Sequence, residues 1–370
     1  MTLEISHSFP PDIIREILLR LSVESLLRCK SVCKEWYSLI SDQHFIKTHY
    51  NLSSTNDINF AHHRLIYNTF EQRNNLYSCP LYDVLFDESV NNATQLEYPL
   101  QQTRSRGFRI VGSCNGLLCI LVNDGNTLFI YNPSTRITNI LPGSKQGAGS
   151  CTISYGFGYD ETTHDYKVVK IWRCDRTWPY WGTRIYSLKT RSWKEIGCFP
   201  LANPLIDGKF LNGALHWTSW SDWGDIASLD LGKESYGELL QPEYDEGCKI
   251  LTLGVFGEWL CVLCNYCEIC VVDVWVMKVY GVKDSWTRLL SIAHPNDRFS
   301  IPSYMQFHAP LCMSNGGKLL LRFGTKLVVY DCTDSSYSEI QNFHVFYDAC
   351  IAVESLISPL GLVDNNGDES

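Results

Sequence analysis

A glycine-marked turn, an apolar strand, a loop, a second strand ending in an aromatic residue or Asp, and a Ser-, Thr- or Trp-containing turn return about every forty to sixty residues. This periodicity limits the fold more than composition does. Each copy supplies enough strand for one antiparallel sheet of about three or four strands, and such a sheet cannot bury both faces unless the next copy stacks on it. The first copy runs from Asn115-Gly116-Leu117-Leu118 through Phe129-Ile130-Tyr131-Asn132-Pro133 to Leu141-Pro142. The second runs from Gly156-Phe157-Gly158-Tyr159 and Tyr166-Lys167-Val168-Val169 through Ile185-Tyr186-Ser187-Leu188 to Ser192-Trp193. Leu211-Asn212-Gly213-Ala214-Leu215-His216-Trp217 with Ile226-Ala227-Ser228-Leu229-Asp230 makes a third, and Leu253-Gly254-Val255 with Leu260-Cys261-Val262 and Val274-Trp275-Val276 a fourth. A fifth pairs Asn315-Gly316-Gly317-Lys318-Leu319-Leu320-Leu321 with Leu327-Val328-Val329-Tyr330-Asp331. Radial stacking buries every face and leaves only short protected edges, which predicts a β-propeller; a linear solenoid would need polar terminal caps, and none are visible. Arg64 to Val84 and His344 to Ile357 also read as strands, and joining them would complete a sixth blade from the two ends of the chain. An acidic tail over residues 359–370 is expected to be disordered.

The N-terminal part follows a different rule. Phe9 to Phe45, reading FPPDIIREILLRLSVESLLRCKSVCKEWYSLISDQHF, carries apolar residues at helical rather than strand spacing. Pro10 and Pro11 open a helix where a missing N–H costs nothing, with Asp12 in its first turn, and Ile13, Ile14, Ile17, Leu18 and Leu21 form a broad stripe. Ser22 breaks that helix and can cap the next, which carries Leu26 and Leu27. Val32, Cys33, Trp36, Leu39 and Ile40 mark a third. Three short helices have more apolar positions than so small a core can hide, and a unit of about forty residues usually needs a partner or a neighbouring domain. The excess predicts a docking surface. No amphipathic run longer than two or three turns follows Phe45, so the expectation is a small helical domain followed by a large all-β one.

The order Pro-Pro-Asp-Ile-Ile, Ile-Leu-x-Arg-Leu, Ser-Leu-Leu-Arg, Val-Cys-Lys-x-Trp, Leu-Ile-Ser-Asp and Phe45 resembles the F-box, with Ser22 where that family usually carries proline. The resemblance implies that Phe9, Pro10, Ile13, Ile17, Leu18, Leu21, Leu26, Leu27, Val32 and Trp36 divide between the module's core and the groove of a Skp1-type adaptor. The remainder resembles the F-box-associated domain of plant F-box proteins, a group that includes S-locus F-box proteins and relatives that restrain immune receptors. Four motifs carry that likeness: Ser113-Cys114-Asn115-Gly116-Leu117, then Tyr131-Asn132-Pro133-Ser134-Thr135-Arg136, then Tyr155-Gly156-Phe157-Gly158-Tyr159-Asp160 with Asp165-Tyr166-Lys167-Val168-Val169, then Val274-Trp275-Val276-Met277 with Val282-Lys283-Asp284-Ser285-Trp286-Thr287. The implied layout is an F-box over residues 1–48, a substrate-binding propeller-like domain of about six blades over 49–358, and the tail. The implied function is that of a receptor subunit joining an unknown target protein to a cullin-RING ligase through the adaptor, with no catalytic residue, cofactor or metal of its own.

Other features set limits on rival readings. A net charge of −9 without blocks argues against nucleic acid and favours a basic protein target. With no signal peptide and no apolar run long enough for a bilayer, the expectation is a soluble chain of the cytoplasm or nucleus without membrane insertion. Sixteen cysteines are many, but Cys261, Cys264, Cys267 and Cys270 match neither zinc-ribbon nor ferredoxin spacing and read as buried positions of one hairpin. Disulfides and glycosylation at Asn51 or Asn92 are not expected in a reducing compartment. His164-Asp165 reads as a solvated turn rather than a dyad. Trp, Tyr and Arg dominate interface hot spots, so Arg173, Arg176, Trp178, Tyr180, Trp181, Trp220 and Trp223 are the candidate target contacts, with gap-filling between blades as the alternative for the tryptophans. Such tryptophan faces also suit a glycan, which makes an intracellular glycan- or glycoprotein-binding propeller the alternative function.

Overall fold

The computed structural model describes residues 10–55, 57, 59–69, 75–98, 107–122, 127–144, 150–174, 181–201, 207–219, 226–245, 250–266, 268–293, 308–323, 326–340 and 346–361. Four helices come first: α1 (Pro11–Leu18), α2 (Val23–Cys29), α3 (Lys34–Ser41) and α4 (Gln43–Thr55). Ser22 caps α2 by accepting Ser25 N–H at 3.3 Å, and Asp42 accepts Phe45 N–H at 2.9 Å in the first turn of α4. Three helices were expected. The fourth escapes a reading of apolar periodicity because its buried stripe is Phe45, His49 and Ser53, one position in three being apolar. It also runs through the expected boundary between residues 48 and 49.

The strands follow in chain order: β1 (His63–Thr69), β2 (Leu76–Pro80), a short helix α5 (Leu81–Phe86) and β3 (Thr94–Leu96); β4 (Phe108–Cys114), β5 (Leu117–Val122), β6 (Leu128–Tyr131) and β7 (Thr138–Ile140); β8 (Ser150–Asp160), β9 (Asp165–Cys174), β10 (Trp181–Ser187) and β11 (Ser192–Cys198). Then come β12 (Lys209–Leu211), β13 (Ala214–Trp217), β14 (Ile226–Asp230) and β15 (Ser235–Leu239); β16 (Ile250–Phe256), β17 (Trp259–Tyr266), β18 (Val271–Met277) and β19 (Trp286–Ala293); β20 (His308–Met313), β21 (Lys318–Phe323), β22 (Lys326–Asp331) and β23 (Ser336–Glu339); and last β24 (Phe346–Val353). They form six antiparallel four-stranded sheets, and the sixth expected from the chain ends is β24-β1-β2-β3. β24, β4, β8, β12, β16 and β20 pack side by side in that order and back to β24, so the ring is a six-bladed propeller closed by the last strand.

The repeat motifs stitch blades together. Trp193 donates its indole N–H to Pro142 O of the preceding blade at 2.8 Å, and Trp286 does the same to Leu240 O at 2.9 Å. Buried Lys167 reaches from the third blade to Leu231 O at 2.6 Å and Glu234 at 3.1 Å in the fourth, and pairs with Asp160 at 3.0 Å. Burial opposes its charge, but the two carboxylates outweigh that and hold the ammonium pKa up, while Asp160 is held down at about 2. Asp165 is likewise structural: it accepts Lys189 N–H at 2.8 Å and the Ser187 hydroxyl, while His164 beside it is exposed. The Asn-Gly pairs at 115–116 and 212–213 make two-residue hairpin turns with positive φ at both residues.

The sheet topology divides the ring into two ends. Turns between first and second, and third and fourth, strands lie at one end, together with the start of β1, the end of β24 and hence the helical module. The other end receives the connections between second and third strands and those between blades.

Candidate functional site

The helical module separates its apolar residues into two faces. Leu18, Leu19, Val23, Leu26, Ile40 and Phe45 make its core, with Ile14, Leu21, Leu27, Trp36, Leu39 and Ile46 packed against them. On α1, one helical position further round, Ile13 and Ile17 are 46% and 50% exposed, and with Asp12, Glu16 and Arg20 they line a shallow groove. Val32 is 64% exposed, and Tyr37 is exposed as well, with Lys30 Nζ 5.8 Å from its ring centroid. The ten residues singled out in the sequence therefore divide. Leu18 and Leu26 are buried in the core, Leu21, Leu27 and Trp36 are half-buried around it, Pro10, Ile13, Ile17 and Val32 face outward, and Phe9 lies outside the described residues. Tyr37 was missed because its heavier neighbour Trp36 occupies the apolar spacing; exposure follows only from how α3 packs.

The core of the module is not closed by its own helices. Leu356, beyond the end of β24, completes it and is 6% exposed. His49 of α4 is fully buried and donates Nε2–H to Leu21 O at 2.8 Å, and burial lowers its pKa. Glu354 donates its backbone N–H to His62 O at 2.8 Å, and its carboxyl, pushed up by burial, lies near the Val23 N–H. The module thus sits against the propeller rather than hanging from it.

The candidate target contacts fare differently. Arg176, Trp178, Tyr180, Trp220 and Trp223 lie outside the described residues, and of Arg173 only the backbone, in β9, is described. Trp181 is corrected by the structure. At 7% exposure it packs with Val169, Ile171, Phe199, Leu215 and Trp217 between the third and fourth blades, because β10 turns its side chain into the blade interface. Its indole offers no face to a protein or glycan partner, as the gap-filling alternative expects. The strands that lead into residues 175–180 and 220–225 end on the side of the ring away from the helices.

Among the cysteines, Cys261 is fully buried in β17 and its thiol pKa is raised by burial. Cys264, three residues on along the same strand, is disulfide-bonded, contrary to the expectation of free thiols; its partner sulfur lies outside the described residues. Among the described residues no group of three or more His, Cys, Asp or Glu is placed to hold a metal ion, and no helix is long and apolar enough to cross a membrane.

Comparison with known proteins agrees with both modules. The F-box domain family matches residues 7–48, and the F-box associated beta propeller domain family matches residues 68–353. An Arabidopsis thaliana F-box/kelch-repeat protein is 32% identical over 95% of this chain and 96% of its own length. The Arabidopsis thaliana F-box protein CPR1 is also 32% identical, over 95% of this chain and 89% of its own. Among solved structures, TolB from Acinetobacter baumannii superposes with a TM-score of 0.50 at 10% identity, covering 84% of this chain and 73% of that one, a likeness of fold alone. With an F-box at its N-terminus and an F-box-associated propeller over most of its length, this chain belongs to the plant F-box proteins.

Proposed function

We propose that the chain is the substrate receptor of an SCF-type ubiquitin ligase. The helical module takes a Skp1-type adaptor and through it a cullin-RING ligase, while the propeller holds a target protein whose lysines are thereby presented for ubiquitination and proteasomal degradation. The observation that carries the reading is the exposed apolar set Ile13, Ile17, Val32 and Tyr37 on helices α1 and α3 and the turn before α3, beside a core that buries Leu18, Leu19, Val23, Leu26, Ile40 and Phe45. Ile13, Ile17 and Val32, with Pro10, contact the adaptor, and Leu18, Leu21, Leu26, Leu27 and Trp36 hold the helices that present them.

The chain's contribution to the chemistry is proximity. Holding the acceptor lysine near a charged conjugating enzyme turns a bimolecular encounter into an effectively unimolecular one. No nucleophile in this chain is required. The target docks on the end of the ring away from the helices, where β9 and β13 end and from which the sequence runs on into Arg176, Trp178 and Tyr180 and into Trp220 and Trp223, and the overall charge of −9 favours a basic target. The cytoplasm and nucleus, where the ubiquitin system works, are its compartments.

The test is affinity purification of the full chain from plant tissue under proteasome inhibition, beside an Ile13→Asp/Ile17→Asp double variant. Skp1 and cullin recovered with the wild type and lost from the variant, while other captured proteins stay, is the expected result. Absence of Skp1 and cullin from both chains overturns the proposal.

A further inference from the structure

Residues 354–361 leave β24 as an extended segment whose alternate residues serve different modules. Ser355 and Ile357 turn to the second blade. Asn132, fully buried, donates its amide to Ser355 O at 2.9 Å and Ile357 O at 2.7 Å, while its Oδ1 accepts Ser134 N–H at 2.8 Å and Thr135 N–H at 3.1 Å. Ser134 Oγ accepts Ser355 N–H at 3.2 Å, and Asn139 donates to Pro359 O at 2.9 Å. Gly116 has φ +78°, and a Cβ there would lie 2.4 Å from Ser355 Cβ and 2.5 Å from Val353 O, so only glycine lets the segment pass. Glu354 and Leu356 face the other way: the carboxyl of the first lies near Val23 N–H at the start of α2, and the second completes the helical core. Successive residues of an extended chain point to opposite sides, so one short segment grips both modules at once.

We infer that residues 354–361 are a two-sided strap that fixes the angle between the F-box and the propeller, and that Asn132 is its clamp, a positioning residue for ubiquitin transfer. The inference rests on the receptor reading above. Without the strap, the chain between α4 and β1 and the packing of α4 on the ring, such as His49 against His62, would hold the modules, and added freedom there dilutes the effective concentration of a bound target at the conjugating enzyme. The Asn-Gly and Tyr-Asn-Pro-Ser-Thr motifs of the second blade are then the seat of this strap as well as turns of a repeat.

The experiment uses the full chain bound to a purified Skp1-type adaptor. Asn132→Asp keeps the side-chain shape but replaces the donor facing Ser355 O and Ile357 O by an acceptor. Hydrogen exchange of residues 354–361 and α4 should accelerate by about tenfold or more, the change expected when a buried hydrogen-bond partner is lost. Adaptor affinity should stay within about twofold, because Ile13 and Ile17 are remote from the change. The propeller's own thermal transition should persist, and small-angle scattering of the complex should show a longer maximum dimension. Faster strap exchange with a scattering curve unchanged from wild type overturns the inference. If Asn132→Asp unfolds the propeller, Leu356→Ser, which acts on the helical side only, replaces it, and loosened α4 exchange with unchanged scattering is then the refuting result. A wild-type chain that does not bind the adaptor refutes the receptor reading instead, and the strap is then judged by scattering of the free chains.

Discussion

Ile17 and Leu18 are neighbours in sequence and similar in chemistry, yet the structure assigns them opposite work, which makes them a sharp comparison. Leu18 is 1% exposed in the helical core, whereas half of Ile17 is in water. Burying a whole Ile or Leu side chain is worth about 1.5–3 kcal/mol, so the half of Ile17 still exposed should contribute about 0.75–1.5 kcal/mol when an adaptor covers it. Ile17→Ala should therefore weaken adaptor binding about 4- to 12-fold and leave folding stability within about 0.5 kcal/mol. Leu18→Ala opens a cavity in a packed core and should cost about 2–5 kcal/mol of stability in the helical module. Titration calorimetry with the adaptor gives the first quantity, and urea unfolding followed through Trp36 gives the second. The reasoning fails if Ile17→Ala binds like wild type while Leu18→Ala loses affinity at unchanged stability, because the two faces would then be exchanged.

Three further outcomes test the propeller. Asp207, which accepts Tyr155 N–H at 2.8 Å beside Arg109 at 3.2 Å, is pushed up to about 6 by burial from the ordinary 3.8. The native state then keeps a proton that the unfolded chain has lost, so stability should fall by up to about 3 kcal/mol between about pH 4 and pH 6, a slope that Asp207→Asn should remove in urea unfolding across that range. A wild-type minus variant difference independent of pH would contradict this. Lys167→Ala leaves the Asp160 carboxylate buried without its cation and removes the ammonium held by Leu231 O and Glu234, and should cost about 3–5 kcal/mol, read as a lower urea midpoint; an unchanged midpoint would show that Lys167 is not what joins the third and fourth blades. Deleting residues from 346 onward removes β24, opens the ring and should unfold the propeller cooperatively by near-ultraviolet circular dichroism, whereas an intact domain would mean that closure by both chain ends is dispensable.

The blades were legible because the information is local. Strand-turn-strand periodicity, Asn-Gly pairs whose positive φ selects a tight hairpin, and alternation between apolar runs and turns are properties of a few consecutive residues. Residues 9–45 were legible for the same reason, as an ordered string of apolar positions at helical spacing with proline at the start and Ser22 at a cap. Even the closure by β24 could be inferred, since a repeat protein with strands left over at both ends has one economical way to pair them.

What depends on distant parts of the chain was not legible. The α4 helix hid because its buried face is His49 and Ser53 as well as Phe45, polar groups tolerated there by tertiary contacts such as His49 to Leu21 O. For Trp181 the sequence left a rim contact and gap-filling between blades both open, and the packing of the third blade on the fourth decided for the second. The disulfide at Cys264 was not expected, because a spacing of three along one hairpin does not say which sulfurs come within bonding distance. Which of two adjacent aliphatic residues faces water on α1, and which face of residues 354–361 grips which module, follow from a helix phase and a strand phase set by packing. By itself the sequence determined the family, the two modules and the repeat, because these are written in short-range patterns that any fold of the chain must respect. Only the tertiary structure decided which apolar residues remain for a partner and that the C-terminal segment locks the modules together, because burial is a property of whole surfaces brought together across more than two hundred residues of chain.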